Sequence, residues 1–202
     1  MLASFADGAR VKGVNIYTRK GDDGTTGLLF GGRVTKNEAP PMAYGDVDEA
    51  QASIGLARAE ADRGGELDGL LIGLERDLWV LMSELATASD NRHRLVDGKT
   101  LVTQQMIDGV EAIIDSTMQR FEQPTEFVVP GQNRMSALLD VARTVVRRAE
   151  RQSIGCVPAG SLVVPYLNRL SDLLWTLARW QEGNSLPTRS ARQPPSDNAN
   201  VV

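Results

Sequence analysis

From about Tyr44 onward the apolar positions of this chain return every three or four residues, the spacing of one face of an α-helix. The first such segment carries Val47, Ala50, Gln51, Ile54, Ala57 and Arg58 and ends near Arg63-Gly64-Gly65. The second carries Leu67, Leu70, Leu71, Leu74, Leu78, Leu81, Met82 and Leu85. The third carries Met106, Ile107, Val110, Ile113, Ile114 and Phe121 and stops before Pro124, which cannot continue a helix. A short extended piece, Glu126-Phe127-Val128-Val129, runs into Pro130-Gly131. The fourth helix turns Leu138, Leu139, Ala142, Val145, Val146 and Ala149 inward. The fifth, from about Ser161 to Glu182, does the same with Leu167, Leu170, Leu173, Leu174 and Leu177. Short connections between amphipathic helices favour antiparallel neighbours. The pattern predicts an all-α fold, a five-helix up-and-down bundle with a glycine-rich N-terminal loop.

Residues 1–13 read as a flexible leader and 14–182 as a single helical-bundle domain whose opening stretch, 14–40, is the candidate nucleotide-binding loop. From Gly183 onward, Pro187, Pro194, Pro195 and scattered Ser and Asn predict a disordered tail, 183–202. The 202 residues are 42% hydrophobic and 24% charged, ordinary for a chain with one sizeable core. No apolar run is long enough to span a bilayer. A net charge of −4 and a pI near 5.1 argue against a nucleic-acid binder. Cys156 is the single cysteine, so no internal disulfide forms, and a reducing, cytoplasmic compartment fits. One cysteine and one histidine, His93, also exclude a structural zinc site and the paired Glu-x-x-His motifs of a di-iron bundle.

Against this acidic background the fourth helix stands out. Residues 131–154 hold five arginines, Arg134, Arg143, Arg147, Arg148 and Arg151, against two acids, Asp140 and Glu150, a local charge of +3. Arg143, Arg147 and Arg151 recur four apart and share a helix face, where like charges repel. Guanidinium groups meet phosphate or carboxylate through two parallel hydrogen bonds, so the row predicts a bound anion.

Three other stretches carry candidate chemistry. Tyr17-Thr18-Arg19-Lys20-Gly21-Asp22-Asp23-Gly24-Thr25-Thr26-Gly27, then Gly31-Gly32-Arg33 and Lys36, has the glycines that let backbone N–H groups converge on an anion, plus hydroxyl and cationic donors. It lacks the Gly-Lys-Ser/Thr ending of a P-loop, and by composition a plain turn is an equal reading. Tyr44-Gly45-Asp46-Val47-Asp48-Glu49 puts three carboxylates at the expected first turn of the first helix, where simple capping of the dipole is the alternative to a site. On the fifth helix Asn168 and Asp172 lie four apart, either as a polar core network or as part of a site.

Taken in order, these blocks, with Phe-Val-Val-Pro-Gly at 127–131 and Ala-Arg-Thr-Val-Val-Arg-Arg-Ala-Glu-Arg at 142–151, resemble the PduO-type ATP:cob(I)alamin adenosyltransferases over roughly residues 14–182. The resemblance implies a homotrimer with active sites between subunits. It implies transfer of the 5′-deoxyadenosyl group of ATP, with Mg²⁺, to the cobalt of cobalamin, giving adenosylcobalamin and triphosphate. An adenosylcobalamin-dependent enzyme would be the acceptor, and neither nucleic acid nor membrane a partner. By the family's pattern Thr18, Arg19, Gly21, Gly24, Thr25, Thr26 and Lys36 wrap ATP, and Arg147, Glu150 and Asn168 complete that site. Asp48 and Arg143 pair across the interface, and Phe127 presses on the corrin face where the lower axial ligand binds. Arg148, Arg151 and Asp172 support these positions.

That chemistry suits a chain with so few nucleophilic side chains. The nucleophile is the cobalt(I) of the substrate, so the protein's task is orientation and stabilisation of the charge on departing triphosphate. The chain departs from the family's pattern at Gly27, where Ser or Arg is usual, at Gln132, and around Lys36. Those departures define the alternative, a non-catalytic ATP- and corrinoid-binding carrier or sensor.

Overall fold

The structure, a computed structural model, describes residues 17–192; the expected leader and the end of the expected tail lie outside them. Five α-helices make the bundle: α1 Ala39–Ala59, α2 Glu66–Leu85, α3 Gln104–Met118, α4 Arg134–Ser153 and α5 Val163–Glu182. Two antiparallel ribbons flank it, β1 Thr25–Gly27 with β2 Arg33–Thr35, and β3 Val128–Val129 with β4 Leu186–Pro187. The element order and side-chain pairs make the bundle up-and-down. The end of α1 meets the start of α2 through Arg58 and Asp68, 2.8 Å apart, and the start of α4 through Arg134 and Glu60, 3.2 Å. Arg120, just past α3, reaches Glu66 at the start of α2, and Asn133, the cap of α4, reaches the Gln181 carbonyl at the end of α5.

The leucine and alanine stripes are the core. Ala43, Ala50 and Ala57 of α1 are fully buried, and these small side chains bring α1 close to both α2 and α4. Leu71, Leu78 and Leu81 of α2, Leu139 and Val146 of α4, and Leu167, Leu170, Leu173, Leu174 and Leu177 of α5 have no exposed surface. Both ends of the bundle are tied by buried ions. At one end the Glu84 carboxylate accepts from Arg92 (2.7 Å), Ser161 (2.6 Å) and the Val102 N–H (2.9 Å).

Two expectations need correction. The first helix begins at Ala39, not near Tyr44, because Pro40 and Pro41 fall in its first turn, where the backbone N–H groups have no helical partner to lose. Asp46, Asp48 and Glu49 therefore lie beyond the first turn, which holds no acidic residue, and the dipole-capping reading fails. The segment after Gly183, expected to be disordered, includes β4 and a 3-10 turn at Ser190–Arg192. Its order comes from pairing with β3, Val129 opposite Leu186 and Val128 opposite Pro187, contacts 57 and 59 residues distant in sequence and invisible to composition.

Candidate functional site

The β1–β2 ribbon is built from local contacts. The Asp23 carboxylate accepts from the Thr25 N–H (2.9 Å) and hydroxyl (2.8 Å), and these bonds, the backbone one first, hold it below the usual carboxylate range. Arg33 folds inward, donating to Thr25 Oγ1 from Nε (3.0 Å) and to the Lys20 carbonyl (2.5 Å). Lys36 closes the loop with its N–H on the Gly24 carbonyl (2.9 Å) and its Nζ on the Gly21 carbonyl (2.7 Å). Two of these points favour glycine. Gly24 sits at φ +80°, and a Cβ on Gly21 would lie 3.1 Å from Lys36 Nζ and 3.2 Å from the Thr25 carbonyl. Arg19 takes a left-handed φ of +59°. Thr18 accepts weakly from the Lys20 N–H at 3.5 Å, and Thr26 pairs with Val34. The ribbon docks on the end of the bundle where Leu29 N–H meets the Ala86 carbonyl at 2.8 Å.

On α4 the arginines are neutralised unevenly, one from α1 and others within α4 itself. Arg148 bonds Glu49 and lies 3.6 Å from Asp46, both on α1, and the Glu49 carboxylate raises its pKa. Arg143 Nε donates to Asp140 at 3.0 Å. Arg151 bends back to the Arg147 carbonyl at 2.9 Å. The exposed Arg147 guanidinium makes no ion pair among the described residues. One turn on, Glu150 accepts from Asn168 at 3.1 Å, while Arg169 bridges Asn168 (3.1 Å), Asp172 (3.1 Å) and Glu111 of α3 (2.7 Å). Arg147, Glu150 and Asn168 thus form one face, with Asp172 at its edge. Among the described residues no hydrogen bond or ion pair joins that face to the β1–β2 ribbon.

A cleft of about 870 Å³ opens between α4, α5 and the β3–β4 ribbon, lined by Phe127, Arg143, Trp175 and Thr188 among others. The Phe127 ring at its mouth is 90% exposed. Asp48 is elsewhere, in a groove of about 500 Å³ between α1 and α2 beside Gln51, Arg76 and the partly exposed Trp79. Within one chain, then, Phe127 and Arg143 share a cleft, whereas Asp48 and Arg143 are apart and Arg143 is paired with Asp140.

The sequence reading passed over the floor of this cleft. Asp140 accepts from both Arg143 and Arg179, the latter at 2.6 Å. Arg179 is 1% exposed, and its Nε lies 2.8 Å from Glu182 Oε1 without the angle of a hydrogen bond. The apolar repeat gave no signal for it: Arg179 lies two residues past Leu177, off the leucine stripe of α5, and its burial comes from the Asp140 and Glu182 carboxylates at this end of the bundle. Thr188 carried no signal, since it lies in the segment read as tail.

Comparison with known proteins accords with this architecture. The pattern of the cobalamin adenosyltransferase family matches residues 16–181, and the chain belongs to that family. It is 43% identical over 171 residues to a corrinoid adenosyltransferase of Mycobacterium tuberculosis, covering 81% of this chain and 86% of the relative. It is 40% identical over 170 residues to one from Citrobacter freundii, covering 83% and 94%. Among solved structures it resembles a variant PduO-type ATP:corrinoid adenosyltransferase from Lactobacillus reuteri, complexed with cobalamin and ATP. That match has a TM-score of 0.77 at 28% identity, covering 87% of this chain and 97% of the other.

Proposed function

We propose that this protein transfers the 5′-deoxyadenosyl group of ATP to the cobalt of cob(I)alamin, releasing triphosphate. The electron pair of cobalt(I) forms the cobalt–carbon bond at C5′, and the C5′–oxygen pair departs with the triphosphate. Related corrinoid adenosyltransferases and a neighbour complexed with cobalamin and ATP support the reaction class. The observation that carries the assignment to this chain's own residues is the cleft. An aromatic ring 90% exposed beside an arginine, at the mouth of about 870 Å³, is suited to the broad apolar face of a corrin.

Phe127 covers the lower corrin face and keeps water and a lower ligand from cobalt. Without that ligand's donation cobalt(II) accepts an electron more readily. Arg147, whose guanidinium is exposed and makes no ion pair among the described residues, stabilises charge on the departing triphosphate. Glu150 and Asn168 fix the neighbouring nucleotide contacts. Thr18, Arg19, Gly21, Gly24, Thr25, Thr26 and Lys36 surround the phosphates, with Lys36 and Arg33 releasing backbone carbonyls as phosphate oxygens arrive. Mg²⁺ is carried on the phosphates of ATP, with its remaining positions filled by water.

Geometry also favours sites shared between copies. The β1–β2 ribbon and Phe127 lie at opposite ends of a bundle of 20-residue helices, about 30 Å apart. ATP and corrinoid must meet within bonding distance, so the two ends come together only if one chain's ribbon approaches another chain's α4. Asp48, on the α1–α2 groove, then pairs with Arg143 of a neighbouring copy in a homotrimer, and Arg148, Arg151 and Asp172 support the same junction.

The test is anaerobic incubation with ATP, Mg²⁺ and chemically reduced cobalamin, measuring adenosylcobalamin and triphosphate together. Equal amounts of both are expected. Binding of ATP and cobalamin with neither product would instead identify a carrier or sensor, with Gly27 and Gln132 the first positions to change.

A further inference from the structure

We infer that Thr188, in the segment after α5, is the positioning residue that holds Phe127 in the cleft, an inference that rests on reading Phe127 as the wall of the corrinoid site. The ring is 90% exposed, so packing does little to fix where it points. Its place is set by the backbone. The Phe127 carbonyl accepts two hydrogen bonds from one residue, the Thr188 N–H at 2.8 Å and the Thr188 hydroxyl at 2.8 Å. The preceding residue, Pro187, stands opposite Val128 and has no N–H to donate. Thr188 therefore supplies both donors at the end of a ladder only two residues long.

The clamp has a rigid base. The chain leaves α5 at Gly183, φ +71°, and the turn is held by the Asn184 N–H on the Glu182 carbonyl (2.9 Å) and the Ser185 hydroxyl on Glu182 Oε1 (2.5 Å). The Glu182 carboxylate is buried against Arg179, and Arg179 holds Asp140, the partner of Arg143. One run of contacts thus ties Arg143 to Phe127 through the end of α5. A displacement of about 1 Å in such a wall is enough to cost a large part of the rate. Holding it from a buried ionic anchor is the physical role of the segment from Gly183 to Thr188.

The test compares Thr188→Val, which keeps the shape and the N–H but loses the hydroxyl, with Thr188→Ser, which keeps both donors. Thr188→Val is expected to lower kcat/KM for cobalamin about fivefold while leaving KM for ATP unchanged, and Thr188→Ser to restore it. The effect acts through Phe127, so in a Phe127→Ala background Thr188→Val should cost nothing further. If Phe127→Ala impairs the enzyme but Thr188→Val does not, or the two losses add in full, Thr188 is a structural residue only and the inference fails. If Phe127→Ala leaves turnover intact, the corrinoid reading itself fails and takes this inference with it.

Discussion

The two ends of the bundle each carry a short antiparallel ribbon, and the two are built by opposite means. The side-chain bonds that shape the β1–β2 ribbon are local, although its tip docks on the bundle through Leu29 and Phe30. Asp23, Thr25 and Arg33 bond to one another and Lys36 to the Gly21 carbonyl, all within sixteen residues of chain, and glycines shape the turn. The β3–β4 ribbon is non-local, joining Phe127 to Thr188 across sixty-one residues, and it is stabilised from beneath by the Asp140–Arg179–Glu182 ions. A local ribbon can open around a ligand without disturbing the bundle, which suits a loop that closes on phosphates. A ribbon anchored in buried charge resists movement, which suits a wall against which a large planar substrate is pressed.

The largest expected effect falls on neither ribbon but on the helix face between them. Arg147→Ala should lower kcat about 10²–10³-fold, the typical cost of one donor aimed at developing charge. That variant also decides whether the ends cooperate between chains. Coexpressed with a Thr25→Ala, Lys36→Ala double variant, it should regain about a quarter of native activity. In a head-to-tail assembly one site in four then combines an intact ribbon with an intact α4. No recovery would mean that each chain builds its own site.

The difference in construction should next appear as stability. Asp140→Ala leaves Arg143 and the buried Arg179 without their shared carboxylate and should cost about 3–5 kcal/mol in urea unfolding. Replacing Asp140 and Arg179 by leucine and Glu182 by glutamine together should cost much less, because no uncompensated buried charge then remains among these three. At the other end Gly21→Ala should leave unfolding nearly unchanged. Its Cβ, 3.1 Å from Lys36 Nζ, displaces that contact and should raise KM for ATP about two- to tenfold. A loss of stability from Gly21→Ala would break the contrast between a detachable ribbon and an anchored one.

What the sequence disclosed follows the same division. The five helices and their inward faces were legible, since a stripe such as Leu71, Leu78 and Leu81 repeats within a few turns. The β1–β2 loop was legible for the same reason, as its glycines, threonines and cations are neighbours in the chain. The start of α1 was misplaced because the apolar repeat first shows near Tyr44, whereas the first turn, with Pro40 and Pro41, carries no such repeat. Phe127 was reached by resemblance, whereas Thr188 was not, because polar residues among prolines look alike whether or not a distant strand pairs with them. Asp140 and Arg179 lie off the apolar stripes of α4 and α5, so their burial against each other is a tertiary fact that periodicity does not show.

The smallest effect belongs to the middle of the bundle, where the contrast between the ends predicts that substrates should notice nothing. Asp77 on α2 accepts from the buried Tyr166 hydroxyl of α5 at 2.7 Å. Burial raises its pKa above the ordinary 3.8, and the bond from Tyr166 only partly opposes that. The folded protein therefore binds this proton more tightly than the unfolded chain does. The contribution to stability is full below the ordinary value and is lost as pH rises through the raised one. Asp77→Asn keeps an acceptor for Tyr166 and cannot ionise. Compared with the native protein by urea midpoint, it should be similar near pH 4 and relatively more stable near pH 7. KM for ATP and for cobalamin should both stay at native values, since Asp77 touches neither ribbon nor the arginine face. A pH-independent difference would show that the Asp77 carboxylate is not strained by burial. A shift in either KM would show that the α2–α5 joint transmits to one of the ends, and the division of the molecule into a yielding end and a fixed one would have to be redrawn through its centre.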